Sequence, residues 1–119
     1  MTDNFQHKEL AQGRWFLLDI VEQMGNIGSE VSRAINWKNK NNQKLSINAF
    51  YRALELIYLT VEDEKNKKRL HELLIMREAL CDFFVGENNF KSTDQSWLKY
   101  FNQFGLAARN KNQINKTSN

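Results

Sequence analysis

The stretch Ala49-Phe50-Tyr51-Arg52-Ala53-Leu54-Glu55-Leu56-Ile57-Tyr58-Leu59-Thr60-Val61 decides the fold. Its apolar residues Ala49, Phe50, Ala53, Leu54, Ile57 and Val61 recur every three or four positions, which is the period of one face of an α-helix. Ser46 stands just ahead as the expected N-cap, because its hydroxyl can accept from an orphan amide of the first turn. Tyr51 and Tyr58, one heptad apart, share a flank of that helix. The chain has no proline and five glycines, so little interrupts helices, and turns must be built from Asn, Ser, Asp and Lys.

Working towards the N-terminus, Asn36 to Lys44 is polar apart from Trp37 and reads as a loop. Before it, Leu10, Arg14, Leu17, Val21, Met24, Gly28, Val31 and Ile35 step by four and three in alternation, which predicts one side of a long first helix. Gly25, Ser29 and Ser32 flank that stripe, where a neighbouring backbone can come close. Glycine inside a helix costs about 0.5 to 1 kcal/mol relative to alanine, so Gly25 and Gly28 need a reason. Close packing is the first, a kink or break between two shorter helices the second, and a ligand contact the last.

Towards the C-terminus, Glu62 to Asn66 is a short charged connection, with Asp63 or Asn66 available to cap the next helix. That third helix carries Leu70, Leu73, Leu74, Leu80, Cys81 and Phe84, and Gly86 sits where a left-handed cap is expected. Ser92-Thr93-Asp94-Gln95 fits a capping box that starts at Ser92. Trp97, Leu98, Phe101, Phe104 and Ala108 then supply a fourth amphipathic face, and Asn110 to Asn119 reads as a flexible basic tail. Four such helices joined by short loops predict an all-α, up-down-up-down four-helix bundle, a single domain over residues 1–109 followed by the tail 110–119.

Composition agrees. The 119 residues are 41% hydrophobic and 26% charged, which rules out disorder of the whole chain, and 14 aromatics supply bulk for one core. No apolar run reaches the roughly 18 residues of a membrane span, and Met1 to Leu10 lacks a signal-peptide apolar region, so a cytoplasmic protein without a membrane partner is expected. A lone cysteine, Cys81, cannot form an intrachain disulfide, and its phenylalanine neighbours predict an inert core thiol.

Enzyme signatures are weak. A di-iron bundle needs Glu three residues before His, but Lys68 precedes His71 and Asn4 precedes His7 at that spacing. Metal-dependent nucleotide hydrolases of helical type use acidic residues one turn apart, and only Asp19 with Glu22 has that form, which suits solvated charges better. The arginine-to-histidine spacing of HEPN-type helical ribonucleases is missing as well. No catalytic residue, metal or cofactor is therefore expected. Arg14 and Arg77 interrupt apolar stripes and are expected to be partly buried, each held by a carboxylate or, alternatively, lining an anion site or snorkelling to the surface.

Charge says more than any motif. Between Val31 and Leu54 there are five cations, Arg33, Lys38, Lys40, Lys44 and Arg52, with no acid and with Trp37 in the middle. A basic loop with an aromatic can bind phosphates by counterion release and stack Trp37 on a base. RNA or DNA is thus the first expected partner. The alternative is self-association through rings beyond the core stripes, namely Trp15, Phe16, Trp37, Tyr58 and Tyr100, which would make the protein a homo-oligomer.

The run Asn26-Ile27-Gly28-Ser29-Glu30-Val31-Ser32-Arg33-Ala34, followed after a basic loop by Ala49-Phe50-Tyr51-Arg52-Ala53-Leu54-Glu55, resembles small bacterial four-helix-bundle proteins. These are the proteins encoded in 23S rRNA intervening sequences and their relative, the accessory variability protein of diversity-generating retroelements. The resemblance implies an oligomeric prokaryotic bundle that contacts nucleic acid or ribonucleoprotein through basic surfaces. Arg33, Lys38, Lys40, Lys44 and Arg52 would then be its phosphate contacts.

Overall fold

The computed structural model describes residues 13–117, with side chains through 111. Four helices follow one another: α1 (Ile20–Asn39), α2 (Gln43–Glu62), α3 (Leu70–Val85) and α4 (Asp94–Thr117). Short 3-10 helices, Arg14–Leu17 and Glu64–Arg69, precede α1 and α3. There is no strand among the described residues. Antiparallel order is fixed at both ends of the α1/α4 pair: Lys38 Nζ lies 2.5 Å from the carboxylate of Asp94, and Lys111 pairs with Asp19. The all-α four-helix bundle is thus the fold.

The helix boundaries depart from the sequence pattern, each for a local reason. The long first helix stops short of its predicted start. Arg14 is exposed, Leu17 is 85% exposed, and Leu18 is extended before Asp19 begins α1; Leu10 lies outside the described residues. Asp19 and Glu22 form a capping box, with Asp19 Oδ1 accepting from Glu22 N at 2.9 Å and Glu22 Oε1 accepting from Asp19 N at 3.3 Å. At its other end α1 runs on through Asn36, Trp37 and Lys38, so the expected loop shrinks to residues 40–42. Asn41 makes that tight turn by taking φ 61°, a left-handed conformation that asparagine tolerates. Asn42, not Ser46, caps α2 by accepting from Leu45 N at 3.1 Å. Ser46 is buried one turn further in and donates to the Ala34 carbonyl at 2.7 Å, stitching α2 to α1.

Gly86 is not left-handed but has φ −104°, and the positive φ values that turn the chain after α3 fall on Asn88 and Lys91. Asp82 holds that turn, accepting from the amides of Asn89 at 2.8 Å and Phe90 at 2.9 Å. The box before α4 starts at Thr93 rather than Ser92: Ser96 N donates to Thr93 Oγ1 at 3.0 Å and Thr93 N to Ser96 Oγ at 2.9 Å. α4 then continues to Thr117, so residues 110–117 are helical where a loose tail was expected. Ser118 and Asn119 lie outside the described residues.

α1 contributes Met24, Ile27, Val31 and Ile35 to the core, and α3 contributes Leu73, Met76 and Leu80. α2 lies between them and buries Leu56 and Leu59 as well as Phe50 and Ile57, a wider face than a single stripe supplies. Trp15, expected as a spare ring, is fully buried beneath the bundle's end. Its indole donates to Thr60 Oγ1 at 3.0 Å and its carbonyl accepts from Gln23 Nε2 at 3.2 Å. Gln23 Nε2 also donates to Asp63 at 2.8 Å, and Gln23 Oε1 accepts from Asn66 at 2.8 Å. Trp15, Gln23, Thr60, Asp63 and Asn66 are all buried, so this network satisfies polar groups that would otherwise be costly to desolvate.

α4 can lie against α1 because Gly28 has no side chain. A Cβ there would sit 2.6 Å from Phe101 Cβ, next to the backbone, where the ring cannot swing aside. Gly25, one turn earlier, faces open space. Gly28→Ala should therefore destabilise the protein by about 1–3 kcal/mol through overpacking. Gly25→Ala should stabilise it by about 0.5–1 kcal/mol through helix propensity. Urea unfolding of the two variants reads the opposite signs.

Asp63 supplies a pH dependence. Burial alone would raise its carboxyl, but hydrogen bonds from Lys65 and Gln23 outweigh it and hold the group below its ordinary value. A depressed carboxylate stabilises the fold fully above the unfolded value of about 3.9, and loses that contribution as pH falls through the lower folded value. Asp63→Asn should thus lower the urea midpoint near neutral pH and flatten its fall below about pH 4.

Candidate nucleic-acid interface

The six residues expected to grip nucleic acid are engaged in different ways. Arg33 and Arg52 converge on a buried carboxylate, with Arg33 Nη1 at 2.6 Å from Glu30 Oε1 and Arg52 Nε at 2.9 Å from Glu30 Oε2. Glu30 is only 6% exposed, and two guanidinium donors offset its loss of water. Lys38 is committed to Asp94 and also lies 4.5 Å from the centre of the Phe83 ring. Lys40 sits over the half-buried Trp37 at 5.3 Å, and Lys44 is exposed in the first turn of α2.

The expected partly buried arginines also fall elsewhere. Arg14 and Arg77 are both exposed: Arg14 is on the 3-10 turn rather than on a long helix, and Arg77 points away from the α3 core face formed by Leu73 and Leu80. The buried arginine–carboxylate cluster is built on Glu30 instead. Burial pushes the Cys81 thiol up, against the opposing charge of Arg77, so the thiol stays protonated at neutral pH.

Asp19 and Glu22 serve as the cap of α1, with Lys111 against Asp19. Among the described residues no three His, Cys, Asp or Glu side chains are grouped to hold a metal ion. No described helix is long and apolar enough to cross a membrane.

A groove of about 740 Å³ runs between α1 and α4, and sequence reasoning missed it. Its cations are Arg33 from α1 and Lys99 and Arg109 from α4, and no Asp or Glu lines it. Ser29, Ser32 and Asn102 add short polar side chains. Gly25 and Gly105 face each other's helix with nothing within 4 Å of a would-be Cβ, so missing side chains keep the groove open. Arg33 gives one nitrogen to Glu30, while its side chain stays 59% exposed. By helical register Asn36 and Lys40 continue the row of Ser29 and Arg33 towards the end of the bundle. Opposed cations without carboxylates make a concave anion-attracting strip, because the low-dielectric walls focus the field of like charges.

The signal for this groove was present but divided. Arg33 fell inside the basic run, whereas Lys99 and Arg109 are separated from it by 66 and 76 positions and look like ordinary solvated charges. Only the close approach at Gly28 brings them together. The fold and groove define a four-helix bundle with a cationic cleft between its first and last helices. Comparison with protein-family models, curated proteins and solved structures found no match to this chain.

Proposed function

We propose that the protein is a non-catalytic binding module that holds the phosphate backbone of RNA or DNA along the α1/α4 groove. The observation that carries this reading is the lining itself: three cations, three small polar residues and no carboxylate. Phosphate contacts by Arg33, Lys99 and Arg109 would release counterions and supply sequence-independent affinity. Arg33 is also a phosphate contact implied by the family resemblance. Lys38 and Arg52 are poorer candidates: Lys38 faces Asp94, and Arg52, which shares Glu30 with Arg33, has a side chain 29% exposed against 59% for Arg33.

Anisotropy of a labelled mixed-sequence RNA or DNA strand across a salt series tests the proposal. Binding should weaken steeply with salt, and Lys99→Ala or Arg109→Ala should each reduce the slope of log K against log salt by about 0.7 to 0.9. Lys44→Ala, away from the groove, should change it less. Gly105→Leu should fill the cleft and cut affinity without unfolding the protein, because nothing lies within 4 Å of its Cβ position. Absence of binding at low salt would remove the reading.

A further inference from the structure

The buried carboxylate of Glu30 stands between two arginines from different helices, and only one of them belongs to the α1/α4 groove. Arg33 on α1 donates Nη1 to Glu30 Oε1 at 2.6 Å, and Arg52 on α2 donates Nε to Glu30 Oε2 at 2.9 Å. Each carboxylate oxygen therefore faces one guanidinium. Among the described residues neither arginine makes a second ion pair. Arg33 lines the groove, and Arg52 does not.

Charge and geometry give the two arginines different tasks. Two guanidiniums against one carboxylate leave the triad with a surplus positive charge, and a buried carboxylate is costly to leave without a partner. The surplus falls on the outer member: the Arg33 side chain is 59% exposed, that of Arg52 29%. With Oε2 taken by Arg52, Arg33 touches Glu30 through one nitrogen, and its remaining N–H groups can still match two oxygens of a phosphate. Without Arg52 both carboxylate oxygens would face a single guanidinium. The two-point pair that arginine and carboxylate favour would then draw Arg33 off the groove.

We infer that Arg52 is a positioning residue for nucleic-acid binding: it neutralises Glu30 from α2, which frees Arg33 to hold a phosphate, and it touches no phosphate itself. This rests on the α1/α4 groove being the nucleic-acid site.

A mutant cycle in the full chain tests it, with anisotropy of a labelled mixed-sequence strand read across a salt series. Circular dichroism and urea unfolding record the fold of each variant. Arg33→Met should lower the slope of log K against log salt by about 0.7 to 0.9, the value of one phosphate contact. Arg52→Met should lower it equally although it lies outside the groove, and the double variant should lose no more than either single one. Arg52→Lys, which keeps a charge beside Glu30, should retain most of the slope. Glu30→Gln removes the charge that competes for Arg33, so in that background Arg52→Met should leave the slope unchanged. That pair has no buried charge to strand, and it reads the same point if Arg52→Met alone unfolds the chain.

Losses that add, with the slope of the double variant lower by about 1.4 to 1.8, would make Arg52 a phosphate contact in its own right and overturn the inference. A slope unmoved by Arg52→Met in a folded variant would overturn it too, as would a loss that persists beside Glu30→Gln. Failure of the wild-type chain to bind at low salt is a separate result, which removes the groove reading and the inference together.

Discussion

The close approach of α1 and α4 at Gly28 is the constraint on which the rest of the molecule depends. With hydrogen in place of a methyl, Phe101 reaches the α1 backbone, and the first and last helices pack as neighbours over their length. That contact sets the depth of the cationic groove, since Gly25 and Gly105 leave the space on either side of it unfilled. One glycine therefore acts through packing and two through absence, although in sequence all look alike. The helix-propensity cost of all three is borne by burial elsewhere in the bundle.

Four of the cations are held by three carboxylates. Glu30 takes Arg33 and Arg52, Asp94 takes Lys38, and Asp63 takes Lys65. Two of these acids lie at the start of a helical turn, where a negative group is favoured by the exposed amides. Burial by itself would raise the carboxyl of Asp94, but hydrogen bonds from Lys38 and Asn39 hold it below its ordinary value. The cations that line the α1/α4 groove are Lys99, Arg109 and the outward part of Arg33, gathered from two helices rather than from one loop.

The fold was legible because each helix announces itself locally. Three-and-four spacing at Ala49 to Val61, Met24 to Ile35 and Trp97 to Phe104 requires no knowledge of partners, and three short polar connections leave an antiparallel bundle as the simple arrangement. Ends were less legible. Arg14 and Leu17 kept the register of α1 by coincidence, and Asp19 with Glu22 has the same spacing whether it binds metal or caps a helix. Ser46 and Ser92 each lost the cap to a neighbour, Asn42 and Thr93, because either residue satisfies the chemistry and only packing chooses. The polar cluster of Trp15, Gln23, Thr60, Asp63 and Asn66 joins four chain segments, so no local pattern could reveal it. The α1/α4 groove could not be read for the same reason.

Trp97 belongs to the walls of the α1/α4 groove and of a second groove, of about 480 Å³, between α3 and α4, and its indole nitrogen is buried with no hydrogen-bond acceptor among the described residues. A ring shared in this way is a common partition between two compartments. A change of side-chain size at this position therefore alters the shape of both grooves at once.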